Sequence, residues 1–162
     1  MLERIEVLCH SSIVIRKDKV IYFDPFKIEN SYNDADIIFI THSHYDHFSP
    51  EDINKVRNKD TVIVLTKDLR ENAIKLGFLE EKIIEVVPNK SYLVEGLEVH
   101  TIPAYNIDKD FHRKENDFVG YIITIGNIRY YIAGDTDINE DNKRVKCDVA
   151  FLPVRRNIYY GL

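Results

Sequence analysis

Three of the six histidines in this 162-residue chain lie within six consecutive positions. They belong to the segment Thr41-His42-Ser43-His44-Tyr45-Asp46-His47, which begins where the apolar, β-branched run Asp36–Thr41 ends. A run of this composition predicts a strand covered on both faces. The imidazoles are therefore expected at the end of a buried strand, where they suit packing poorly and suit a metal ion well.

The spacing within the cluster predicts two neighbouring sets of ligands. In an extended backbone, His42 and His44 point the same way, so both can reach one ion. A turn towards a helix would then bring Asp46 and His47 beside a second ion, because imidazole nitrogens and carboxylate oxygens complete such sites. Thr41 or backbone carbonyls could fix the histidine tautomers. The alternative is a solvated, histidine-rich loop ahead of a helix.

A second motif, Ala133-Gly134-Asp135-Thr136-Asp137, follows the run Arg129–Ile132. A carboxylate at the end of a buried strand lies at the edge of a sheet, where the sites of α/β proteins are usually built. Asp135 could bridge two ions with its two oxygens. Glycine and aspartate are also common in plain turns, and the motif by itself favours a turn.

The rest of the pattern predicts a mixed α/β domain in layers, with a single domain over residues 1–162. The main signals are a hairpin over residues 12–23, a helix that begins at Ser49-Pro50, a helix from Lys67 to Leu76 closed by Gly77, and a hairpin turn at Gly126-Asn127.

Composition narrows the classes of function. The net charge of −5 and the pI near 5.7 give no support for a nucleic-acid partner. No apolar run approaches the roughly 20 residues of a membrane span. Two cysteines, Cys9 and Cys147, fit a reducing compartment, and the N-terminus lacks the apolar core of a signal peptide. We therefore expect a cytoplasmic protein.

Taken together, the motifs resemble the metallo-β-lactamase superfamily. The resemblance is carried by Phe23-Asp24-Pro25, the histidine-rich segment and Gly134-Asp135, and Cys9-His10-Ser11-Ser12 is similar to the Gly-His-Ser/Ala opening of its lactonase-like and N-acyl-phosphatidylethanolamine phospholipase D-like hydrolases. It implies a four-layer αββα sandwich with one or two divalent ions at the rim between the sheets. Zn is the expected metal, with Mn, Fe or Ni as alternatives.

The resemblance also implies roles for individual residues. His42 and His44 would bind the first ion, Asp46 and His47 the second, Asp135 would bridge them, and Asp24 would support the site from behind.

The family places a further histidine between the two motifs, and this sequence has Asn106 where that histidine often stands. The next imidazole is His112, which we expect to be the third ligand, with Asn106 lining the pocket. The alternative is that His112 faces substrate or solvent. His10 either faces the pocket or is hydrogen-bonded in the core.

The expected activity is metal-assisted hydrolysis of a small-molecule substrate: a lactone, a phosphodiester or a related ester. Asp46 could orient the attacking water or accept its proton. Arg113 and Lys114 follow His112 and could attract an anionic substrate, or they could simply be solvated.

The family continues past the segment Asp148–Pro153 for about one more helix–strand unit, which supplies a last metal-binding histidine. No histidine follows His112 in this sequence. We therefore expect the domain to lack that unit and to expose an edge at which copies of the chain could associate. The alternative function is a metal-binding remnant with little or no catalytic activity.

Overall fold

The computed structural model describes residues 4–154 and places their strands in two sheets. The first sheet has six strands in the spatial order β1-β2-β3-β4-β5-β6, of which β1 to β3 are antiparallel and β3 to β6 are parallel. These strands are β1 (Arg4–Val7), β2 (Ile13–Arg16), β3 (Val20–Phe23), β4 (Ala35–Phe39), β5 (Arg57–Thr66) and β6 (Ile83–Val86).

The second sheet has five strands in the spatial order β11-β10-β9-β8-β7. They are β7 (Ser91–Val94), β8 (Leu97–Pro103), β9 (Val119–Ile125), β10 (Ile128–Ile132) and β11 (Val149–Phe151). β7 is absent from the sequence-based prediction. Its turn uses Glu95 and Gly96, both at positive φ, in place of the usual asparagine–glycine pair.

The main core lies between the two sheets, where β-branched and aromatic side chains from both inner faces meet. Phe23 and Phe39 stack with their ring centroids 5.1 Å apart. Phe39 also packs on Tyr121 of the second sheet at 4.9 Å. This contact joins the sheets directly beneath the end of β4, from which the histidine-rich segment leaves.

Two short helices, α1 (Pro50–Val56) and α2 (Arg70–Lys75), cover the outer face of the first sheet. The predicted start of α1 is confirmed, because Ser49 caps it by accepting the N–H of Asp52. The predicted helix over residues 67–76 begins with a 3₁₀ turn, Lys67–Leu69, and Gly77 follows it at a φ of +88°.

The predicted layered α/β fold is confirmed, with helix, sheet and sheet layers present between residues 4 and 154. In that range the outer face of the second sheet carries only a small apolar cluster around Ile122 and Tyr131. None of the helices in the described range has the length and apolar character that a membrane crossing requires.

Candidate metal centre

The histidine-rich segment leaves the first sheet on a backbone that is anchored to the second. Tyr121 donates its hydroxyl hydrogen to the Ile40 carbonyl at 2.6 Å, and the N–H of Val119 donates to the Thr41 carbonyl at 3.1 Å. Burial holds the pKa of Tyr121 well above its usual range, so the phenol stays a neutral donor. These two hydrogen bonds therefore fix the backbone from which the His42 side chain extends.

Behind the histidines lies the carboxylate of Asp24, which is completely buried. It accepts the Thr41 N–H at 2.8 Å, the Thr41 hydroxyl at 2.7 Å and the Nδ1–H of His47 at 2.7 Å. Asp24 also has a φ of +43°, a conformation that costs energy for a residue other than glycine. The surrounding hydrogen bonds hold it there.

This carboxylate fixes the tautomers of two rings. Thr41 Oγ1 lies 2.9 Å from His42 Nδ1, and since its hydrogen is donated to Asp24, it accepts the hydrogen on His42 Nδ1. His42 and His47 thus both carry a hydrogen on Nδ1 and turn Nε2 towards the rim. Metal-binding histidines are commonly oriented in this way by a carboxylate behind them.

Two sets of three potential ligands converge at the rim, each with its ligand atoms within 4.8 Å of one another. The first, here the imidazole set, is His42, His44 and His112; the second, here the mixed set, is His42, His47 and Asp135. His42 has only Nε2 available and can serve one ion, so both sets cannot be complete at once.

Distances within the sets are short. His44 Nδ1 lies 2.9 Å from His112 Nε2, and His47 Nε2 lies 3.5 Å from Asp135 Oδ1. Asp46 Oδ2 is 3.7 Å from His47 Nε2. If His42 belongs to the imidazole set, Asp46 is the neighbour that completes a second group with His47 and Asp135.

The residues present fit a divalent ion. His42 Nε2 is buried and has no hydrogen-bond partner among the described residues. A buried polar atom without a partner is costly, so such an atom requires an explanation. Three imidazoles, or two imidazoles and a carboxylate, are ligand sets that Zn²⁺ accepts.

The electrostatics of the two sets differ. Burial, together with the charges of His47 and His112, lowers the pKa of His42 to about 2. Burial also lowers the pKa of His112. Burial acts in the same direction on His47, but its hydrogen bonds to Asp135 and Asp24 outweigh it and raise its pKa to about 10. The hydrogen bond from His47 lowers the pKa of Asp135 to about 2.

Gly134 lets the loop after β10 approach the histidines closely. It has a φ of +63°, and a Cβ at this position would lie 2.9 Å from the Thr41 Cβ. A side chain at this position would therefore force this loop or Thr41 to shift. Both the positive φ and the close approach to Thr41 favour glycine at this position.

The loop that carries His112, residues 104–118, is held against the segment after Asp135. Lys109 pairs with Asp137 at 2.8 Å, and Lys114 pairs with Asp141 at 3.1 Å. Together these two ion pairs, here the loop clamp, keep His112 over the other rings. His112 itself has a φ of +56°.

The organisation of these motifs matches a family model described as a β-lactamase superfamily domain over residues 4–162. This chain belongs to the β-lactamase superfamily. The predicted family is thus confirmed on a match that spans nearly the whole sequence.

Relatives within the β-lactamase superfamily are named metal-dependent hydrolases. A protein of Pyrococcus furiosus is 25% identical over 98% of this chain and 75% of its own length. One of Saccharolobus solfataricus is 32% identical over 80% of this chain and 57% of its own length. The sequence is therefore shorter than these relatives, as expected. The prediction of a metal-dependent hydrolase is confirmed at the level of these names, which mention no substrate.

Solved structures support the fold. A Parabacteroides distasonis protein proposed to be a metal-dependent hydrolase superposes with a TM-score of 0.82 at 30% identity, covering 95% of this chain and 70% of that one. The diiron β-hydroxylase CmlA from Streptomyces venezuelae has a TM-score of 0.68 at 21% identity, covering 83% of this chain and 30% of that one. The latter likeness concerns the fold alone.

The structure places the predicted residues differently. Five converge as described: His42, His44, His47, His112 and Asp135. Asp46 and Asp24 lie beside them, and exposed His10 lines an adjoining cavity. Asn106 is hydrogen-bonded within its own loop, where its backbone N–H donates to the His112 carbonyl at 2.8 Å. Arg113 and Lys114 are already paired with Asp110 and Asp141.

Three positioning residues were not predicted: Tyr121, Asp137 and Asp141. Tyr121 gives no signal in sequence, because an aromatic residue in a buried strand is usually core. Asp137 stands two residues after Asp135, so a sharper interpretation of that motif could have assigned it a structural role.

Proposed function

We propose that this chain is a metal-dependent hydrolase of esters that binds up to two divalent ions at the rim. His42, His44 and His112 would hold the first ion, and Asp46, His47 and Asp135 the second. The observation that carries the proposal is the buried Nε2 of His42, which points without a partner into this group of ligands.

A divalent ion held there supplies Lewis acidity, which polarises the ester and makes hydroxide available at neutral pH. The protein's own part is orientation: Asp24 and Thr41 fix the rings of His42 and His47. In the reaction, the oxygen of water bonds to the acyl carbon or phosphorus, the bond to the leaving oxygen breaks, and that oxygen takes up a proton.

Asp46 is the proposed residue for moving that proton. Its side chain is 23% exposed, it lines the cavity beside the rim, and it lies in neither of the two converging sets. A carboxylate in this position can accept a proton from the attacking water and pass it to the leaving group. A carboxylate oxygen of Asp46 that binds the second ion cannot accept a proton at the same time, so the two proposed roles of Asp46 exclude each other at any one oxygen.

Three finer points belong to the same proposal. Zn²⁺ is the proposed metal, because nitrogen-rich sets of this kind are typical of zinc sites. The proposed location is the cytoplasm, which fits the half-buried, unbridged Cys9 and Cys147. Contact between copies is proposed at β11, which is the outermost strand at one edge of the second sheet.

The test is reconstitution of the metal-free protein with Zn²⁺ or Mn²⁺, followed by assay on neutral esters, lactones and phosphodiesters. We expect turnover that chelation abolishes and the metal restores. Asp46→Asn should lower kcat by about 10²- to 10⁴-fold, the usual share of acid–base catalysis. Asp68→Asn, on the exposed turn before α2, is the matched control and should be active. Stoichiometric metal without turnover on any substrate would contradict the proposal and favour a metal-binding remnant.

A further inference from the structure

A cavity of about 600 Å³ opens directly beside the metal centre. At one end it meets Asp46, His47 and Asp135, and from there it extends between the β1–β2 turn and β11. The part of its wall away from the metal centre is formed largely by apolar side chains: Val7, Ile13, Ile132, Phe151, Leu152 and Val154. No lysine or arginine is found among the described residues that line it.

Exposed aromatic side chains lie next to residues of the metal centre. Tyr45 is 78% exposed, and its ring lies 6.0 Å from that of Phe26, which in turn lies 5.6 Å from His10. On the other side, Phe111 is 60% exposed next to His112. Large apolar groups exposed around a concave site are typical of surfaces that bind apolar ligands.

The cations near the mouth already have partners. Lys109 and Lys114 form the loop clamp with Asp137 and Asp141. Arg113 pairs with Asp110 at 3.2 Å. Lys27 lies over the ring of Phe26, 5.5 Å from its centroid. The charged side chains that do line the cavity in the described part of the chain, apart from the histidines, are two carboxylates, Asp46 and Asp135.

We infer that the substrate is a neutral carboxylic ester or lactone with an apolar chain of medium length, and that this chain lies along the cavity wall. The inference rests on the proposed hydrolase function and names its substrate class. Beyond the residues proposed to hold the ions, the wall that the described residues form offers apolar carbons and no lysine or arginine that could pair with the charge of a phosphodiester. The volume lies within the usual range of about 300–1,000 Å³ for small-molecule pockets.

The first test compares p-nitrophenyl acetate, butyrate, hexanoate and octanoate with bis(p-nitrophenyl) phosphate, using the zinc-loaded full chain. Because each buried methylene contributes about fourfold, kcat/KM should rise at least tenfold from acetate to octanoate and exceed that of the phosphodiester. A flat series, or a preference for the phosphodiester, would overturn the inference and leave a hydrolase of another substrate class.

The second test measures binding without turnover. Nile red, a neutral dye that fluoresces in apolar surroundings, should bind once per chain and be displaced by 1-octanol. Leu152→Lys places a cation on the cavity wall at an exposed position and should weaken dye binding at least tenfold. Leu93→Lys is the matched control: Leu93 is 74% exposed on β7, at the opposite edge of the second sheet, and its replacement should change nothing.

The two tests separate the two claims. Dye binding that responds to Leu152→Lys, in a protein that hydrolyses no ester, would support the apolar cavity and contradict the hydrolase. Equal dye binding in the Leu152→Lys and Leu93→Lys variants would contradict the cavity, whatever the activity. In the active protein, Leu152→Lys should also reduce the preference for octanoate over acetate, whereas Leu93→Lys should preserve it.

Discussion

The imidazole set and the mixed set share His42 but differ in what stands behind their other members. In the mixed set, His47 donates to Asp24, a fully buried carboxylate that also holds Thr41. In the imidazole set, His112 Nδ1 has no hydrogen-bond partner among the described residues, and the ring is carried by a loop. One set is built into the core between the sheets, and the other is assembled by surface contacts.

The sets also differ in charge. In the mixed set, His47 has a pKa of about 10 and Asp135 has a lowered one. In the metal-free protein at pH 7, a protonated His47 therefore pairs with an anionic Asp135. His42 and His112 have lowered pKa values and are neutral at pH 7. The two sets should therefore respond differently to mutation and to pH.

Removal of the shared ligand should have the largest effect. In His42→Ala the imidazole set loses its buried nitrogen, so we expect the protein to bind one ion fewer and its activity to fall to background. Elemental analysis after dialysis measures the first effect. The control is His100→Ala, because His100 lies in β8 and is hydrogen-bonded to Ser91, away from the rim. Full metal stoichiometry in His42→Ala would contradict the assignment of His42 as a metal ligand.

Asp24→Asn tests the buried support. An asparagine cannot accept hydrogen bonds on both sides, so His47 loses its fixed tautomer, and we expect metal affinity at the mixed set to fall by about 10- to 100-fold. Affinity at the imidazole set should fall less, because Asp24 reaches His42 only through the Thr41 hydroxyl. Titration against a competing chelator resolves the two. Asp36→Asn is the control, since Asp36 is an exposed carboxylate that accepts the N–H of Val20. An equal loss of metal affinity at both sets would contradict the predicted difference.

Acidity should affect the sets unequally. A metal ion that binds His47 must displace the proton held below its pKa of about 10, so affinity at the mixed set should rise about tenfold per pH unit between pH 7 and 9. His42, with a pKa of about 2, has no proton to lose in that range. Calorimetry in buffers of different ionisation enthalpy should find more protons released by metal binding at the mixed set than at the imidazole set. Equal release at both would contradict the difference.

The same pKa values predict the stability of the metal-free protein. His47 has a raised pKa, so its contribution is fully present below the unfolded value of about 6.5 and is lost as the pH rises through about 10. His42 acts oppositely, because its folded pKa lies below the unfolded one and stability falls as the pH drops below about 6.5. Urea unfolding between pH 5 and 9 should therefore show the greatest stability in the middle of this range.

The smallest effect concerns the loop clamp. Asp137→Asn removes the charge that pairs with Lys109 but keeps an oxygen for the Ile107 N–H. Because partly exposed ion pairs contribute little, affinity at the imidazole set should fall by no more than about fivefold. Asp110→Asn breaks the exposed pair with Arg113 in the same loop and is the control. A loss above tenfold in Asp137→Asn would show that the loop is held mainly by this charge.

Much of this arrangement could be predicted from the sequence, because its strongest signals are local. His42, His44 and His47 are neighbours along the chain, and the strand that carries them is marked by its apolar run. The cap at Ser49 and the turn at Gly126-Asn127 depend on their own residue types and were also foreseeable.

The residue roles that the sequence did not predict depend on contacts between distant segments. Tyr121 meets Ile40 across 81 positions, and Asp137 meets Lys109 across 28, through packing that no local pattern encodes. Asn106 was expected in the pocket from its place in the family motif. Its backbone N–H donates to the His112 carbonyl, and its place in the pocket stays a prediction.

The most direct test of the account is an anomalous difference map from a crystal of the zinc-loaded protein, collected at the zinc edge. We predict a peak about 2.0–2.1 Å from His42 Nε2, the usual Zn–N distance, with His44 and His112 as further ligands and Asp135 on the side of His47. Rings turned away from one another, with no peak between them in crystals soaked with excess zinc, would contradict it.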